Sequence, residues 1–197
     1  MTLLSAALLL FLVMDPLGNI PVFLTTLKAV EPKRQVRVVL RELVIALVVL
    51  IIFLFSGRYI LGFLQISEPS LTIAGGIILF MISIRMVFPG RRDQKEIELE
   101  GEPLVVPLAI PFVAGPSAMA SVMLIMNREP GRWREWLVAL LIAWIATGVI
   151  LLAASGLRRH LGERGLIAME RLMGMVLTTL AVQMLMTGVG SFLESLP

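Results

Sequence analysis

The chain of 197 residues has no cysteine and a single histidine, His160. The absence of cysteine excludes disulfide bridges and thiolate metal sites, and one histidine argues against a metal centre built from several imidazoles. A Walker-type phosphate loop, a GxSxG elbow and an HExxH motif are also missing. Asp93 lies in a charged stretch, so Asp15 has no second aspartate to form an intramembrane protease site. The sequence therefore predicts no enzyme, no cofactor, no metal centre and no ATP-driven transport within this chain.

Charged residues are also scarce, at 16% of the chain, whereas 58% of the residues are hydrophobic. The mean hydropathy is +0.94. A soluble domain is nearer half apolar, so this excess indicates that lipid surrounds the protein. The formal net charge is +3, but the basic residues lie between apolar runs and form no groove. We interpret them as signals of membrane topology and expect no nucleic acid partner.

Six apolar runs are long enough to cross a bilayer, which takes about 20 residues of α-helix. The first run has no positive segment before it and no small-residue cleavage site after it, so we interpret it as a retained helix. The loops are too short for a soluble domain, so residues 1–197 are predicted to form one all-α integral membrane domain. The predicted spans are residues 2–27, 39–55, 71–88, 104–126, 136–154 and 166–188, with a charged connector at about 89–103.

Lysine and arginine collect in the connections after the first, third and fifth predicted spans. Fewer basic residues, namely Arg58, Arg128, Arg132 and Arg134, lie on the other side. Because cytoplasmic loops carry the excess of positive charge, we expect the odd-numbered loops in the cytoplasm of a bacterium, the chain in its inner membrane, and both termini in the periplasm. The basic residues of the odd-numbered loops are Lys28, Lys33, Arg34, Arg37, Arg41, Arg91, Arg92, Lys95, Arg158, Arg159 and Arg164.

The two halves of the sequence, about residues 1–90 and 104–197, resemble each other at an offset near 100. Three helices per half is an odd number, so the second half would cross the membrane in the opposite sense. This arrangement is the inverted repeat of many secondary transporters; the alternative is a chance resemblance between apolar segments. The matching pairs are Asp15-Pro16 with Gly115-Pro116, Ser56-Gly57 with Ser155-Gly156, Leu61-Gly62 with Leu161-Gly162, and Gly76 with Gly174.

A polar, proline-containing cluster interrupts the first predicted span. Asp15 lies near the middle of the span, where an ionised carboxylate is costly if it faces lipid. Pro16 and Pro21 remove backbone donors from the helical ladder, and Gly18 permits a non-helical backbone. Together with Asn19, these residues predict a broken helix whose freed backbone groups and carboxylate bind a substrate, H⁺ or Na⁺. The alternative is a packing kink in which Asp15 is hydrogen-bonded internally.

The fourth predicted span has a similar interruption. It contains three prolines within ten residues, at positions 107, 111 and 116, followed by the hydroxyl of Ser117. Paired interrupted helices in two halves indicate a binding site near the middle of the membrane. We therefore predict that Gly115, Pro116 and Ser117 form the second side of the site, unless they too are only a packing kink.

The third and sixth predicted spans carry stripes of small or polar residues. Gly75, Gly76 and Gly174 are predicted to allow close helix packing. Gln183 lies deep in its span, so it either lines the cavity or makes an interhelical hydrogen bond. Arg85 near the end of its span either extends its head group to the interface or pairs with Asp15. Glu170 and Arg171 form either an interfacial pair or part of a gate.

These motifs resemble the MarC family of bacterial inner-membrane proteins over essentially the whole chain. The segments that carry the resemblance are DPLGNIPVF, IPFVAGPSAM and ERLMGMVLTTLAVQMLMTG. The family is described as having six spans and is grouped with small neutral amino acid transporters and, more distantly, with LysE-type exporters. By position, the resemblance draws attention to Asp15, Pro16, Gly18, Pro21, Gly115, Pro116, Gly174 and Gln183.

The leading hypothesis is a secondary transporter, in one version an exporter, of a small neutral amino acid or similar zwitterion coupled to H⁺ or Na⁺. A passive channel or facilitator would share the polar cavity, and an assembly factor or complex subunit would not need one. The sequence is compatible with a homo-oligomer.

Overall fold

The computed structural model describes residues 1–27, 30–88 and 113–194, and this part of the chain is helical throughout, with short turns between the helices. Within these residues, seven α-helices follow one another, with a 3₁₀ turn at Pro130–Arg132. The α-helices are α1 (Leu3–Met14), α2 (Ile20–Leu27), α3 (Pro32–Leu64), α4 (Glu68–Val87), α5 (Pro116–Arg128), α6 (Trp133–Leu152) and α7 (Ala154–Glu194).

Four helical segments of the described chain are long and apolar enough to cross a membrane, and α1 is a shorter apolar helix. They confirm the second, third, fifth and sixth predicted spans and extend most of them by a few residues. The count of six spans stays a prediction, because Pro107, Pro111 and the connector at about 89–103 lie outside the described residues. The four segments are Arg34–Gly57, Glu68–Val87, Pro130–Leu152 and Arg164–Glu194.

Local chemistry explains where several helices begin. Thr2 and Ser5 cap α1 reciprocally: the Ser5 amide donates to Thr2 Oγ1 at 3.2 Å, and the Thr2 amide donates to Ser5 Oγ at 3.0 Å. Such pairs satisfy amides that have no partner inside the helix. The Ser67 hydroxyl accepts the Ser70 amide at the start of α4 at 3.3 Å, and Pro32 occupies the first turn of α3, where no amide is needed.

Two left-handed residues, Gln65 and Gly162, lie at opposite ends of the bundle, each just before a membrane-length helical segment. Gln65 ends α3 with a φ of 54°, and Gly162 bends α7 with a φ of 65°. Glycine adopts this region readily, whereas other residues do so at a cost. The bend divides α7 into a short first part and the membrane span Arg164–Glu194.

The helices pair in a regular pattern. The most extensive contact is between α4 and α7, followed by α1 with α6 and α3 with α5. Trp144 Nε1 of α6 donates to the Leu43 carbonyl of α3 at 2.7 Å. Large apolar side chains such as Leu4, Phe63 and Met186 remain exposed. Because lipid is apolar, this distribution fits helices packed inside a bilayer.

The first residue and the last turns of the described chain lie at the same end of the helix bundle. Arg132 Nη1 donates to the Met1 carbonyl at 2.8 Å, and Arg128 binds Glu68 at 2.6 Å. Ser191 near the end of α7 lines the same cavity as Glu68 and Arg128. We call this end, defined by Met1, Glu68, Arg128 and Ser191, the terminal face. The opposite face holds the start of α3 and the end of α4.

Candidate functional site

The first predicted span is broken between α1 and α2. Asp15 ends α1 in the left-handed region, with a φ of 44°, and its amide donates to the carbonyls of Phe11 and Leu12 at 3.2 and 3.1 Å. The next helix begins at Ile20. The predicted interruption of this span is therefore confirmed, and it extends from Asp15 to Asn19.

The polar side chains of this break form hydrogen bonds with backbone groups of the same turn. The Gly18 amide donates to Asp15 Oδ1 at 3.1 Å, and Asn19 Nδ2 donates to the Met14 carbonyl at 3.0 Å. Asp15 is 7% exposed and Asn19 is 9% exposed. A Cβ at Gly18 would collide with the Asp15 carboxylate and the Met86 methyl group, so a larger residue there would force these side chains to move. The hydrogen bond from the Gly18 amide to Asp15 is the one that the packing-kink alternative predicts, and a substrate or ion site at Asp15 stays a prediction.

The two prolines of the break lie on either side of the turn. Pro16 directly follows the left-handed Asp15 and is buried, and Pro21 lies in the first turn of α2 and is partly buried. A proline needs no amide partner at the start of a helix. The prolines thus favour the end of α1 and the beginning of α2, as the sequence predicts.

The helix α5 begins inside the bundle. Gly115 is its N-cap in an extended conformation, with φ −72° and ψ 165°, and Pro116 is its first residue. Ser117 is 3% exposed, and its hydroxyl lies 3.5 Å from the Gly75 carbonyl of α4, a long hydrogen bond. The described residues thus confirm a helix start at Pro116; the residues that precede position 113 are outside the described part.

The two predicted sides of the site lie at different levels of the bundle. Asp15 and Gly18 contact the region of Met86, whereas Ser117 lies beside Gly75. Met86 and Gly75 are eleven positions apart on α4, about 16 Å along the helix axis. Along α4, Asp15 therefore lies nearer the opposite face and Ser117 nearer the terminal face.

A cavity of about 340 Å³ opens at the terminal face between α1, α4, α5, α6 and α7. We call it the terminal cavity. Its polar lining consists of Thr72, Ser121, Gln183 and Thr187, and its charged residues are Arg128 and Glu129. Its apolar lining is Leu9, Leu124, Ile125, Trp136, Leu180 and Met184, together with Met1.

Gln183 is the predicted site residue that lines this cavity, where its Nε2 donates to Thr187 Oγ1 at 3.3 Å. The sequence reasoning missed Ser121, which is 2% exposed and whose hydroxyl has no hydrogen-bond partner among the described residues. Ser117 and Ser121 are four residues apart, so they lie on one face of α5. This spacing was the signal that could have identified Ser121.

Charged residues surround the mouth of the terminal cavity. Arg128 Nε binds Glu68 Oε1 at 2.6 Å, and Asn127 Nδ2 donates to Glu68 Oε2 at 3.1 Å. A second cavity of about 370 Å³ adjoins the first and shares Thr72, Arg128 and Thr187 with it. The side chain of Arg132 binds Glu129 at 2.7 Å and holds the pKa of that carboxyl below its usual range.

The three glycines predicted to allow close packing all do so. A Cβ at Gly76 would lie 3.1 Å from the Ala181 carbonyl, and a Cβ at Gly174 would lie 3.1 Å from the Ser83 carbonyl. A Cβ at Gly75 would lie 3.1 Å from the Met184 methyl group. The α4–α7 contact therefore depends on the absence of side chains at these positions.

The predicted gate residues lie nearer the opposite face. Arg85 in the last turn of α4 and Arg171 of α7 are exposed, and Glu170 is half-buried. An exposed Arg85 fits the prediction that its head group extends to the interface. A gating role for Glu170 and Arg171 stays a prediction.

A buried glutamate in α3 also escaped the sequence reasoning. Glu42 is fully buried, and Arg41 donates to its Oε1 through Nε at 3.0 Å and Nη2 at 2.8 Å. A buried carboxylate is costly unless it is paired. Its position between the buried Val39 and Ala46 on one helical stripe was the signal that could have identified it. Among the described residues, no group of three acidic or histidine side chains could hold a metal ion.

Comparison with known proteins gives a consistent result. Residues 1–193 match the model of the MarC family of integral membrane proteins. The chain belongs to the MarC family. Its relatives within this family include proteins named as membrane proteins of the UPF0056 group, and no solved structure matches the chain.

Three of these MarC relatives cover nearly the whole chain. The UPF0056 inner membrane protein YhgN of Escherichia coli K12 is 47% identical over 193 residues, which is 98% of each chain. The UPF0056 membrane protein BU449 of Buchnera aphidicola from Acyrthosiphon pisum is 44% identical, again over 98% of each chain. A UPF0056 membrane protein of Chlamydia pneumoniae is 37% identical over 95% of this chain and 93% of its own length.

Proposed function

We propose that this MarC protein is a secondary transporter of small neutral amino acids or similar small polar metabolites, coupled to H⁺ or Na⁺. The observation that carries the proposal is the broken first span, which holds the buried carboxylate of Asp15 between two helix ends. A carboxylate inside a membrane span marks an ion or substrate pathway by default. Broken helices expose the backbone groups that bind ions and zwitterions in transporters.

The second part of the proposal is that the chain forms two inverted three-helix halves. Support comes from the α4–α7 contact, in which Gly76 packs on Ala181 and Gly174 packs on Ser83. Gly174 follows Gly76 by 98 positions, and Ala181 follows Ser83 by the same interval. A two-fold axis that relates α4 to α7 would produce reciprocal contacts of this kind.

The pairing of the other helices supports the same symmetry. If the first three spans are equivalent to the last three, then α1 in the first span corresponds to α5 in the fourth, and α3 in the second span corresponds to α6 in the fifth. The contact of α1 with α6 is then equivalent to the contact of α5 with α3. Both contacts are among the three most extensive in the described chain. The left-handed Gln65 and Gly162 also occur at similar places, after the second and fifth spans.

In this proposal Asp15 binds the coupling ion or the ammonium group of the substrate. Its Oδ1 accepts the Gly18 amide, so Oδ2 is the oxygen assigned to the cation. The positive-inside pattern of the sequence supports a topology in which the terminal face is periplasmic and the opposite face is cytoplasmic. The name of the E. coli relative supports the inner membrane as the location.

The test is counterflow in proteoliposomes with labelled glycine, alanine, serine and larger neutral amino acids. Asp15→Asn should reduce counterflow at least tenfold, because the amide loses the charge. The variant should still fold, since asparagine tolerates the left-handed conformation and its oxygen can accept the Gly18 amide. Glu194→Gln, at the exposed end of α7, is the matched control and should transport normally.

The alternatives give different results in the same experiment. A passive channel would equilibrate the substrates without counterflow and without accumulation against either ion gradient. A subunit of a larger complex would show no flux above empty liposomes. Either result, or an Asp15→Asn variant that transports as well as the control, would reject ion-coupled transport through Asp15.

A further inference from the structure

We propose that a phospholipid with an anionic head group binds where α3 and α6 meet at the terminal face. Its phosphate is held by Arg134, beside the rings of Trp133 and Phe55. We call these three residues the interfacial patch. None of them belongs to the proposed transport site, so lipid binding here is independent of transport.

Arg134 provides an exposed positive charge at the start of α6. Its Cζ lies 5.2 Å from the centroid of the Trp133 ring, and within the described residues it forms no ion pair. Arg128 and Arg132 on the same face are both bound to glutamates at 2.6 Å. A guanidinium carries several N–H donors in an arrangement that matches a phosphate. Arg134, unlike these two arginines, therefore keeps its donors available to an anion.

The acidic side chains closest in sequence do not neutralise Arg134. Glu135 accepts hydrogen bonds from Arg132 on both carboxylate oxygens, at 2.9 and 2.6 Å. Glu129 accepts another from Arg132 Nη1 at 2.7 Å. Because Arg132 holds both carboxylates, the positive charge of Arg134 is not compensated by either of them.

The interfacial patch lies at the depth where lipid phosphates are found. The Trp133 ring is 41% exposed and meets the ring of Phe55 nearly edge-on, with centroids 6.0 Å apart. Phe55 lies in the last turn of the apolar segment Arg34–Gly57, and Trp133 is the first residue of α6. Tryptophan is enriched at the boundary between hydrocarbon and head groups, and an arginine there extends its head group into the polar region.

A crevice between α3 and α6 continues from the patch into the hydrocarbon. The two helices are antiparallel and touch again where Trp144 Nε1 donates to the Leu43 carbonyl at 2.7 Å. Leu43 precedes Phe55 by twelve residues and Trp144 follows Trp133 by eleven, which is about 17 Å of helix. Half of the hydrocarbon core is about 15 Å thick, so an acyl chain can follow the crevice through one leaflet. The exposed aliphatic side chains along this length are Val44, Val48 and Ile52 on α3 and Val138 and Ile142 on α6.

The charge of the head group determines which phospholipid the patch prefers. In phosphatidylcholine, a cationic group lies close to the phosphate and offsets its charge. Phosphatidylglycerol has no such group, so its phosphate attracts the Arg134 guanidinium more strongly. One arginine at a membrane surface favours an anionic lipid by a factor of about five. We therefore expect phosphatidylglycerol to be preferred over phosphatidylcholine about threefold to fivefold.

The tryptophans of the chain provide a local readout, because a brominated acyl chain quenches the fluorescence of a tryptophan that it touches. Trp136 is 1% exposed and Trp144 is partly buried, so Trp133 is the tryptophan most accessible to lipid. The protein would be placed as single copies in phosphatidylcholine nanodiscs that contain increasing amounts of brominated phosphatidylglycerol or brominated phosphatidylcholine. Half-maximal quenching should occur at a mole fraction of the phosphatidylglycerol that is about threefold to fivefold lower.

Three variants test whether this preference comes from the patch. Arg134→Gln should reduce the preference to about onefold, because the guanidinium is lost from an exposed position where the fold does not depend on it. Arg164→Gln, which removes an exposed arginine at the start of the α7 span, is the matched control and should keep the full preference. Trp133→Phe should abolish the difference between the two lipids, because the reporter is lost while an aromatic ring remains.

The inference is overturned if both brominated lipids quench equally well in the unmodified protein, or if Arg134→Gln keeps the preference. A difference that persists in Trp133→Phe would place the preferred lipid elsewhere on the protein and would also reject the site. Soluble glycerol 3-phosphate at millimolar concentration should not reverse the quenching by phosphatidylglycerol. Full reversal would show that the patch binds a free phosphate and not a lipid.

Discussion

In the first half of the chain, a left-handed aspartate breaks the span, and its carboxylate is held by the Gly18 amide. At the corresponding place in the second half, Gly115 and Pro116 begin α5, and the polar groups that follow are the hydroxyls of Ser117 and Ser121. The close helix contacts at Gly76 and Gly174, by contrast, are nearly the same in both halves. If the two halves are equivalent, as we propose, they share this packing and differ in the chemistry at the start of each half: a charge in one and hydroxyls in the other.

The largest expected effect comes from this shared packing. Gly174→Leu and Gly76→Leu should each destabilise the protein by about 3 kcal/mol or more, because the new side chains would meet the backbone of the facing helix. Thermal unfolding in detergent, followed by the loss of the monodisperse chromatographic peak, would measure this. Gly190→Leu is the control, because a Cβ at Gly190 meets nothing within 4 Å.

The same pair of variants tests whether the halves are equivalent. Equal destabilisation by Gly174→Leu and Gly76→Leu is the result that two-fold packing predicts. A large loss at one glycine and none at the other would contradict the shared packing.

A smaller effect should distinguish the break in the first half. Gly18→Ala would push against the Asp15 carboxylate and the Met86 methyl group, so we expect a loss of about 1–3 kcal/mol. Gly131→Ala is the matched control, because its Cβ would lie in open space. Comparable unfolding temperatures for the two variants would show that the Asp15 turn is looser than these contacts indicate.

The smallest expected effect lies at the terminal face. The hydrogen bond from Arg132 lowers the pKa of Glu129 below its ordinary value of 4.5. The ionised Glu129 carboxylate therefore stabilises the folded protein above pH 4.5, and this stabilisation is lost as the pH falls through the lowered pKa. Between pH 7 and pH 3 this should lower the unfolding temperature by less than about 2 °C, because exposed ion pairs contribute little.

Glu129→Gln should remove this part of the acid dependence, and Glu194→Gln should not. An unchanged pH profile in Glu129→Gln would mean that the Arg132–Glu129 contact does not persist in solution.

Much of the fold could be predicted because lipid imposes a simple requirement. Every backbone group in the hydrocarbon must be satisfied internally, so long apolar runs become helices. Four of the predicted spans accordingly appear as continuous helices. The close contacts of Gly75, Gly76 and Gly174 were also predictable, since small residues mark helix interfaces in membranes.

The candidate site was predictable only in part. Asp15 and Gly18 could be identified from the sequence because their effect is local: the carboxylate binds an amide three residues away. The four-residue spacing from Ser117 could place Ser121 on the same face of α5, but the missing partner of its hydroxyl depends on the residues that surround it in the folded chain. Glu42 was not identified from the sequence, because its complete burial depends on the helices that pack around α3.

The sequence by itself determined the membrane environment, the helical class, the break at Asp15 and the glycines of the closest contact. Each of these follows from the chemistry of neighbouring residues and from the requirements of a bilayer. Only the tertiary structure decided that Asp15 lies beside Met86, that Ser117 lies beside Gly75, and that a cavity separates α5 from α7 at the terminal face. These features depend on how distant helices pack, and packing is a property of shapes that meet only in the folded chain.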